Sequence, residues 1–447
     1  GTAPVAQAGK DFIESQANLG LGNLNNRHVE CTDCHNPHRV IKNRIFNANP
    51  NTPDPGPTHQ HGGVPHNNLA SGVLKGMWGV EPVYGSTDFN AAVSTITFTL
   101  KRGDPTVNSA TDVGQPYVTR EYQICLKCHS NYAYGTTPPL LGSFGGGTAT
   151  GTNQMTQYTN QANEYNSPLS HRGEGTAPNS GASNTANNHR SWHPVREATG
   201  RTPAVRNANA NDWLAPFNLA VGTQTMYCTD CHGSNTQAGT AIPDGGENGN
   251  VWGPHGSSNN FLLKGKWAGD LNGGTGEIGC DAQNRGCTAD APTHICFKCH
   301  DFNQYANPGT TNIQNSGFAL DPAGGGMCMM GGGGMGGGGM GGGGMGAGGG
   351  MMCMAGPAGM GDGMGMAMNN LHIFHVNAVD TFRCNLCHVA VPHGWKNKVF
   401  LVNLNDVGPE GGLPTGTQVR LNTTNGYFQG PYYNRAALNV VTFGLSW

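Results

Sequence analysis

Charge is scarce in this chain: Asp, Glu, Lys and Arg make up 11% of its 447 residues, against about 25% in an average protein. The 24 basic and 27 acidic side chains leave a net charge of -3, so the basic footprint of a nucleic-acid-binding protein is missing. So small a net charge is also not the signature of a chain kept unfolded by self-repulsion. Long apolar runs are absent, and with none of 18 residues or more there is no transmembrane helix to be read. Apolar side chains are themselves thin on the ground, at 36% hydrophobic and 8% aromatic. A chain of this length would ordinarily fill about three domains. Here something other than side chains has to fill the middle.

What is abundant is glycine, histidine and cysteine, at 72, 18 and 14 residues. Ten of the cysteines fall in five copies of Cys-x-x-Cys-His: Cys31 and Cys34 with His35, Cys125 and Cys128 with His129, Cys228 and Cys231 with His232, Cys296 and Cys299 with His300, and Cys384 and Cys387 with His388. Thiols three positions apart share one face of a helical turn, where both can form thioethers with the vinyl groups of one porphyrin. The histidine that follows then supplies an imidazole to the iron. This is the attachment pattern of c-type haem. Zinc sites need further ligand pairs and do not require a histidine directly after the second cysteine, and disulfides do not require one either. The expected cofactors are five covalently bound c haems, whose apolar discs form the core. Their propionates make the loaded protein more acidic than its sequence.

Each iron needs a sixth ligand. Of 16 methionines, 13 crowd into residues 324–368, so histidine is expected on both faces. The distal candidates are His38 in Cys-His-Asn-Pro-His, His193 in Ser-Trp-His-Pro-Val, His255 in Gly-Pro-His-Gly-Ser, His375 in Leu-His-Ile-Phe-His-Val, and His393 in Val-Pro-His-Gly. Neighbouring proline or glycine fixes a loop that can hold an imidazole over a ring. His28, His66, His189 and His372 stand in reserve. Paired histidines close the iron to substrate and leave outer-sphere electron transfer at low potential, since Met/His ligation is the pairing that raises it.

The fold class expected is a mostly irregular, coil-rich multihaem cytochrome with short helices at the motifs and a few short β-strands. Motif starts lie 94, 103, 68 and 88 residues apart, and the intervals are rich in Asn, Gly, Ser, Thr and Pro, the composition of loops. A short helix is expected near 10–18, and strands at Val93–Leu100, at Val399–Leu404 and within 417–443. Residues 1–447 read as a single haem-wrapping unit, interrupted by a Gly/Met-rich low-complexity insertion over 324–368 and closed by a strand-rich tail over 405–447. The insertion holds 24 glycines and cannot pack a core by itself. Three readings of it stay open: a loop closed by a Cys328–Cys353 disulfide, a soft-metal site of thiolate and thioether ligands, and a bare insertion tolerated because loop cost grows slowly with length. Cys280 and Cys287 read as a local disulfide.

The run of Cys-Thr-Asp-Cys-His-Asn-Pro-His, Ser-Trp-His-Pro-Val, Met-Tyr-Cys-Thr-Asp-Cys-His-Gly, Gly-Pro-His-Gly-Ser and Ile-Cys-Phe-Lys-Cys-His resembles the extracellular multihaem c-type cytochromes of metal-respiring microbes over residues 28–405. Members of that family that polymerise form filaments in which haems stack without a break through and between subunits. In them a histidine just after the first motif ligates a haem of the neighbouring subunit; that position here is His38. The five motifs and the Gly/Met insertion depart from the pattern of those filaments.

The resemblance implies an electron carrier rather than an enzyme. Its partners would be identical subunits joined head to tail, upstream periplasmic or outer-membrane cytochromes, and extracellular electron acceptors. Export through the periplasm suits the thiol chemistry, and a start at Gly1 suits a removed signal peptide. Two rival functions are a multihaem reductase with one open iron and a soft-metal-binding surface protein built around the Gly/Met tract.

Overall fold

The computed structural model describes residues 29–42, 44–52, 67–85, 96–135, 160–166, 191–206, 208–234, 253–266, 294–307, 316, 370, 372–373, 384, 388, 393–395 and 400. Coil dominates them. The regular elements are α1 (Cys31–Cys34), β1 (Gly79–Val83), β2 (Thr97–Lys101), α2 (Tyr122–Cys125), α3 (Asn131–Tyr134), α4 (Gln161–Glu164), β3 (Ser191–Trp192), α5 (Pro203–Arg206), α6 (Phe302–Tyr305) and β4 (Gly394–Trp395). Short 3-10 turns cover Gly72–Leu74, Cys228–Asp230 and Ile295–Lys298, among others. No described helix is long and apolar enough to cross a membrane.

The expected strand at Val93–Leu100 is found displaced toward its C-terminal end, as β2, antiparallel to β1 with Gly79 opposite Lys101 and Val83 opposite Thr97. β1 carries Pro82 and Gly79, residues that disfavour a strand, and the alternation that marks its partner is missing from it. Gly79 has a packing reason: a Cβ there would lie 2.6 Å from the carbonyl oxygen of Gln123, so only glycine lets α2 sit against the ribbon. The second pair, β3 with β4, joins Ser191 to Trp395 and Trp192 to Gly394. Gly394 again admits no side chain, because the Glu164 carbonyl of α4 occupies that space. The expected elements near 10–18 and within 417–443 lie outside the described residues, as do the 324–368 insertion, the 405–447 tail, and Cys280, Cys287, Cys328 and Cys353. Of the strand expected at Val399–Leu404 only residue 400 is described, and it does not lie in a strand.

The main apolar cluster gathers Phe46, Trp78, Val80, Tyr122, Leu126 and Trp192, with Cys34, Cys128, Cys228 and Cys299 packed on its border. Two smaller clusters border Cys231 with Cys296, and Cys384. The apolar packing is thus organised around the motif cysteines. Polar ties hold the pieces in register. Asn68 donates from Nδ2 to the carbonyl of Met226 at 2.8 Å and also to that of Val195. Tyr227 donates its hydroxyl to the Leu69 carbonyl at 3.0 Å.

Glu81 of β1 is the densest of these ties. Its buried carboxylate accepts from the Tyr122 hydroxyl at 3.0 Å and from Gln123 Nε2 at 2.8 Å, and it faces Arg196 Nε at 3.6 Å. It therefore locks the ribbon to α2 and to the segment that follows β3. Replacing Glu81→Ala leaves the buried Tyr122 hydroxyl and Gln123 amide without their acceptor, while Arg196 keeps its 2.6 Å pair with Glu197, and a buried donor left unsatisfied costs about 1–3 kcal/mol. The expected outcome is a fall of that size in unfolding free energy by urea titration; a loss of less than about 1 kcal/mol, the scale of an exposed pair, would contradict the tie.

Candidate metal centres

All five Cys-x-x-Cys-His motifs close the same ring: the histidine amide donates to the carbonyl of the first cysteine, at 2.9 Å for His35, 3.0 Å for His129, 3.0 Å for His232, 2.9 Å for His300 and 2.9 Å for His388. That single turn puts both cysteines and the imidazole on one side of the backbone. In the first and third motifs it is capped from within, since Asp33 Oδ2 accepts the Glu30 amide at 2.7 Å and Asp230 Oδ2 that of Tyr227 at 2.8 Å. Nine of the ten motif cysteines are described, and all nine are free thiols; Cys387 lies outside the described residues. Burial pushes the thiols of Cys34 and Cys231 up to about 12, so both hold their proton at neutral pH.

Three motif imidazoles face a second imidazole. His35 and His255 have ring centres 6.1 Å apart with planes 22° from parallel. His232 and His393 are 6.3 Å apart at 29°, and His388 and His372 are 6.1 Å apart at 22°. These separations and near-parallel planes lie within the range of offset ring pairs, about 4.5–7 Å between centres. A five-membered ring with bonds near 1.33 Å has its centre about 1.1 Å from each nitrogen. Two metal–nitrogen bonds of about 2.0–2.1 Å between two such rings separate their centres by about 6.2 Å. The three observed separations are also those that a metal atom between two imidazoles would require.

The far sides of these rings are fixed as well. Nδ1 of His35 lies 2.8 Å from the Val73 carbonyl, and Nδ1 of His232 lies 2.8 Å from that of Phe261. A carbonyl can only accept, so the proton sits on Nδ1 and the Nε2 lone pair is left for a metal. His393 Nδ1 meets Glu164 Oε2 at 2.7 Å, and His372 Nδ1 meets Ser316 Oγ at 2.7 Å. Burial, reinforced by the charge of nearby His393, pushes His129 down to about 4, and the same two causes bring His232 to about 4. Both are neutral at physiological pH, the form that binds metal.

Two of the distal candidates named from sequence, His255 and His393, thus face motif histidines. His372, only a reserve there, faces His388, whereas His375 lies outside the described residues. His193 donates its amide to the His393 carbonyl at 2.9 Å and lies with its ring 5.1 Å from that of Phe400. His38 is exposed, its amide held by Asn36 Oδ1 at 3.1 Å. His300 sits between the rings of Trp213 and Tyr305, at 6.0 and 5.3 Å.

The thiols of consecutive motifs are neighbours. Cys228 shares a hydrogen bond with Cys125, and Cys384 donates one to Cys296. Cys34 and the pair Cys125 and Cys128 act on one another electrostatically, as do Cys231 and Cys296. The five motifs therefore follow one another in space in the order of the sequence. Glu121 joins Cys125 and Cys228 in a cluster whose ligand atoms lie within 4.8 Å of each other. Its carboxylate already accepts from Thr229, from the amide at 3.0 Å and from the hydroxyl at 2.8 Å.

A repeat larger than the motif also emerges. Each Cys-Thr-Asp-Cys-His anchors its imidazole on the carbonyl of a residue shortly before a Lys-Gly pair, Lys75-Gly76 or Lys264-Gly265. Each Ile-Cys-x-Lys-Cys-His is followed by a capped four-residue helix, α3 behind Ser130 or α6 behind Asp301. The described parts of residues 31–135 and 228–307 share these two features in the same order. The signal was present in the sequence as the alternation of Thr-Asp with x-Lys between the cysteines.

Burial raises the Glu121 carboxyl from 4.5 to about 7. The folded chain then holds a proton that the unfolded chain has released, so stability falls as pH rises through that window. The predicted loss is about 3 kcal/mol between pH 4.5 and about pH 7, absent in Glu121→Gln, by urea unfolding across pH. Equal pH slopes in the two proteins would contradict it. No family model, curated protein or solved structure matches this chain, so the chemistry of these centres has to come from the residues that build them.

Proposed function

We propose that the chain is an extracellular electron carrier holding five c-type haems in a row, each tethered by the two cysteines of one motif and ligated by histidine on both faces. The spacing of 6.1–6.3 Å in the three imidazole pairs carries this reading. Zinc bound by paired thiolates would use the cysteines and leave those facing imidazoles without a purpose. Each haem supplies a one-electron couple whose iron has no open position when two imidazoles hold it.

The chain's own residues do the rest. The Val73 and Phe261 carbonyls orient His35 and His232, and Glu164 and Ser316 orient His393 and His372. The nearness of thiols in successive motifs would let these cysteines hold successive haems as neighbours, and the chemistry the haems would supply there is one-electron transfer without bond making. His38, exposed beside the first motif, is available to a neighbouring copy, and a head-to-tail contact that does not close produces an open filament. The acceptors reached by such a filament are extracellular, in line with the covalent attachment and its oxidising compartment.

Two substitutions test the ligands. His255→Ala and His372→Ala should each turn one-fifth of the haem signal from low-spin to high-spin, with five haems per chain still counted by pyridine haemochrome. A wholly low-spin spectrum in both would remove the paired-imidazole assignment, and a count far below five in the wild type would remove the haems. His38→Ala should abolish filaments in electron micrographs while each monomer keeps its haem count. Filaments that persist would refute the ligand shared between subunits.

A further inference from the structure

The second residue between the motif cysteines alternates in charge along the chain: Asp33, Lys127, Asp230, Lys298, then Leu386. The aspartates turn back onto their own turn as caps. The lysines go inward, and at 2% and 1% exposed they rank among the largest fully buried side chains. Lysine is almost never buried so far unless it is paired. Lys127 Nζ donates to the Asp33 carbonyl oxygen at 2.5 Å and lies 4.3 Å from the centre of the Trp78 ring, contacts that suit an ammonium group. Lys127 and Asp33 act with opposite sign on Cys34. Lys298 and Asp230 do the same to Cys299.

Neither lysine serves attachment, since the other three motifs have none. Each sits beside the cysteines that tether one porphyrin, where a low dielectric lengthens the reach of a charge. An electron arriving there lowers the local charge by one unit, which a buried cation favours. We propose that Lys127 and Lys298 are positioning residues for the electron, raising the reduction potentials of the second and fourth haems so that charge dwells at those two sites. The inference rests on the haem reading above. The step is one electron per haem, ferric to ferrous, supplied in the test by an electrode through soluble mediators. Glu121 and Lys264 also lie near the third motif and act on Cys228 and Cys231 respectively, and they are common to every variant compared.

The experiment is spectroelectrochemical titration of the full-length, haem-loaded protein. Lys127→Gln and Lys298→Gln should each move one of five components to lower potential, by about tenfold in the ferrous-to-ferric ratio at fixed potential, or about 59 mV. Lys127→Arg keeps the charge and should restore the wild-type curve. Asp33→Asn keeps an oxygen for the cap and should move a component upward. If one glutamine variant fails to load haem, the other and Asp33→Asn carry the test. Titration curves that superimpose in proteins with five low-spin haems overturn the role of the lysines and leave the haem reading standing. A wild-type chain without haem overturns both.

Discussion

The constraint on which this structure turns is the distance between facing imidazoles. Three pairs hold ring centres at 6.1–6.3 Å, and none of the pairs is made by neighbours in one regular element. His35 comes from the first motif and His255 from the loop that precedes the Lys264-Gly265 pair. His232 comes from the third motif and His393 from β4's approach to β3. A spacing defined to a fraction of an ångström is thus maintained by turns, caps and isolated bridges. Two of these rings are held by backbone carbonyls, His35 by that of Val73 and His232 by that of Phe261. With short helices and two-stranded ribbons as the only regular structure among the described residues, these segments behave as a set of brackets. In the reading proposed here, the haems supply the bulk that the brackets grip.

The two-motif repeat gives those brackets an order. An Asp-capped motif with its imidazole on a Lys-Gly loop alternates with a Lys-bearing motif followed by a capped helix, and Glu121 bridges the two stretches by accepting from Thr229. Thiol hydrogen bonds or electrostatic influence then run from each motif to the next. An architecture of this kind sets the spacing of successive sites by contacts between neighbouring motifs. The main apolar cluster nevertheless spans both halves, since Cys34, Cys128, Cys228 and Cys299 all border it.

Some of this was legible in the sequence and some was not, for a physical reason. Covalent attachment demands fixed spacing, so the five Cys-x-x-Cys-His turns stand out, and so does the coil-rich character of a chain dominated by Gly, Asn, Ser and Thr. A distal ligand has no such demand: any loop that reaches the site can supply it. Proline and glycine beside His255 and His393 drew attention to two of the facing histidines, but nothing local distinguished His372 from His375. β2 announced itself by alternation, whereas β1, with Pro82 and Gly79, is held by Glu81 and by the close approach of α2. Those are tertiary causes that a local pattern does not record. The alternation of Asp and Lys inside the motifs was visible as letters, and it acquires meaning only from the burial of Lys127 and Lys298.

The proposed electron carrier requires metal atoms between its paired imidazoles. Anomalous diffraction from crystals of the natively produced protein, recorded on both sides of the iron edge, locates those atoms directly. Five iron peaks per chain are expected in the order of the motifs, with one midway between His35 and His255, one between His232 and His393, and one between His388 and His372. Iron peaks absent from those midpoints, or a zinc-edge signal centred on the cysteine sulfurs, would contradict it.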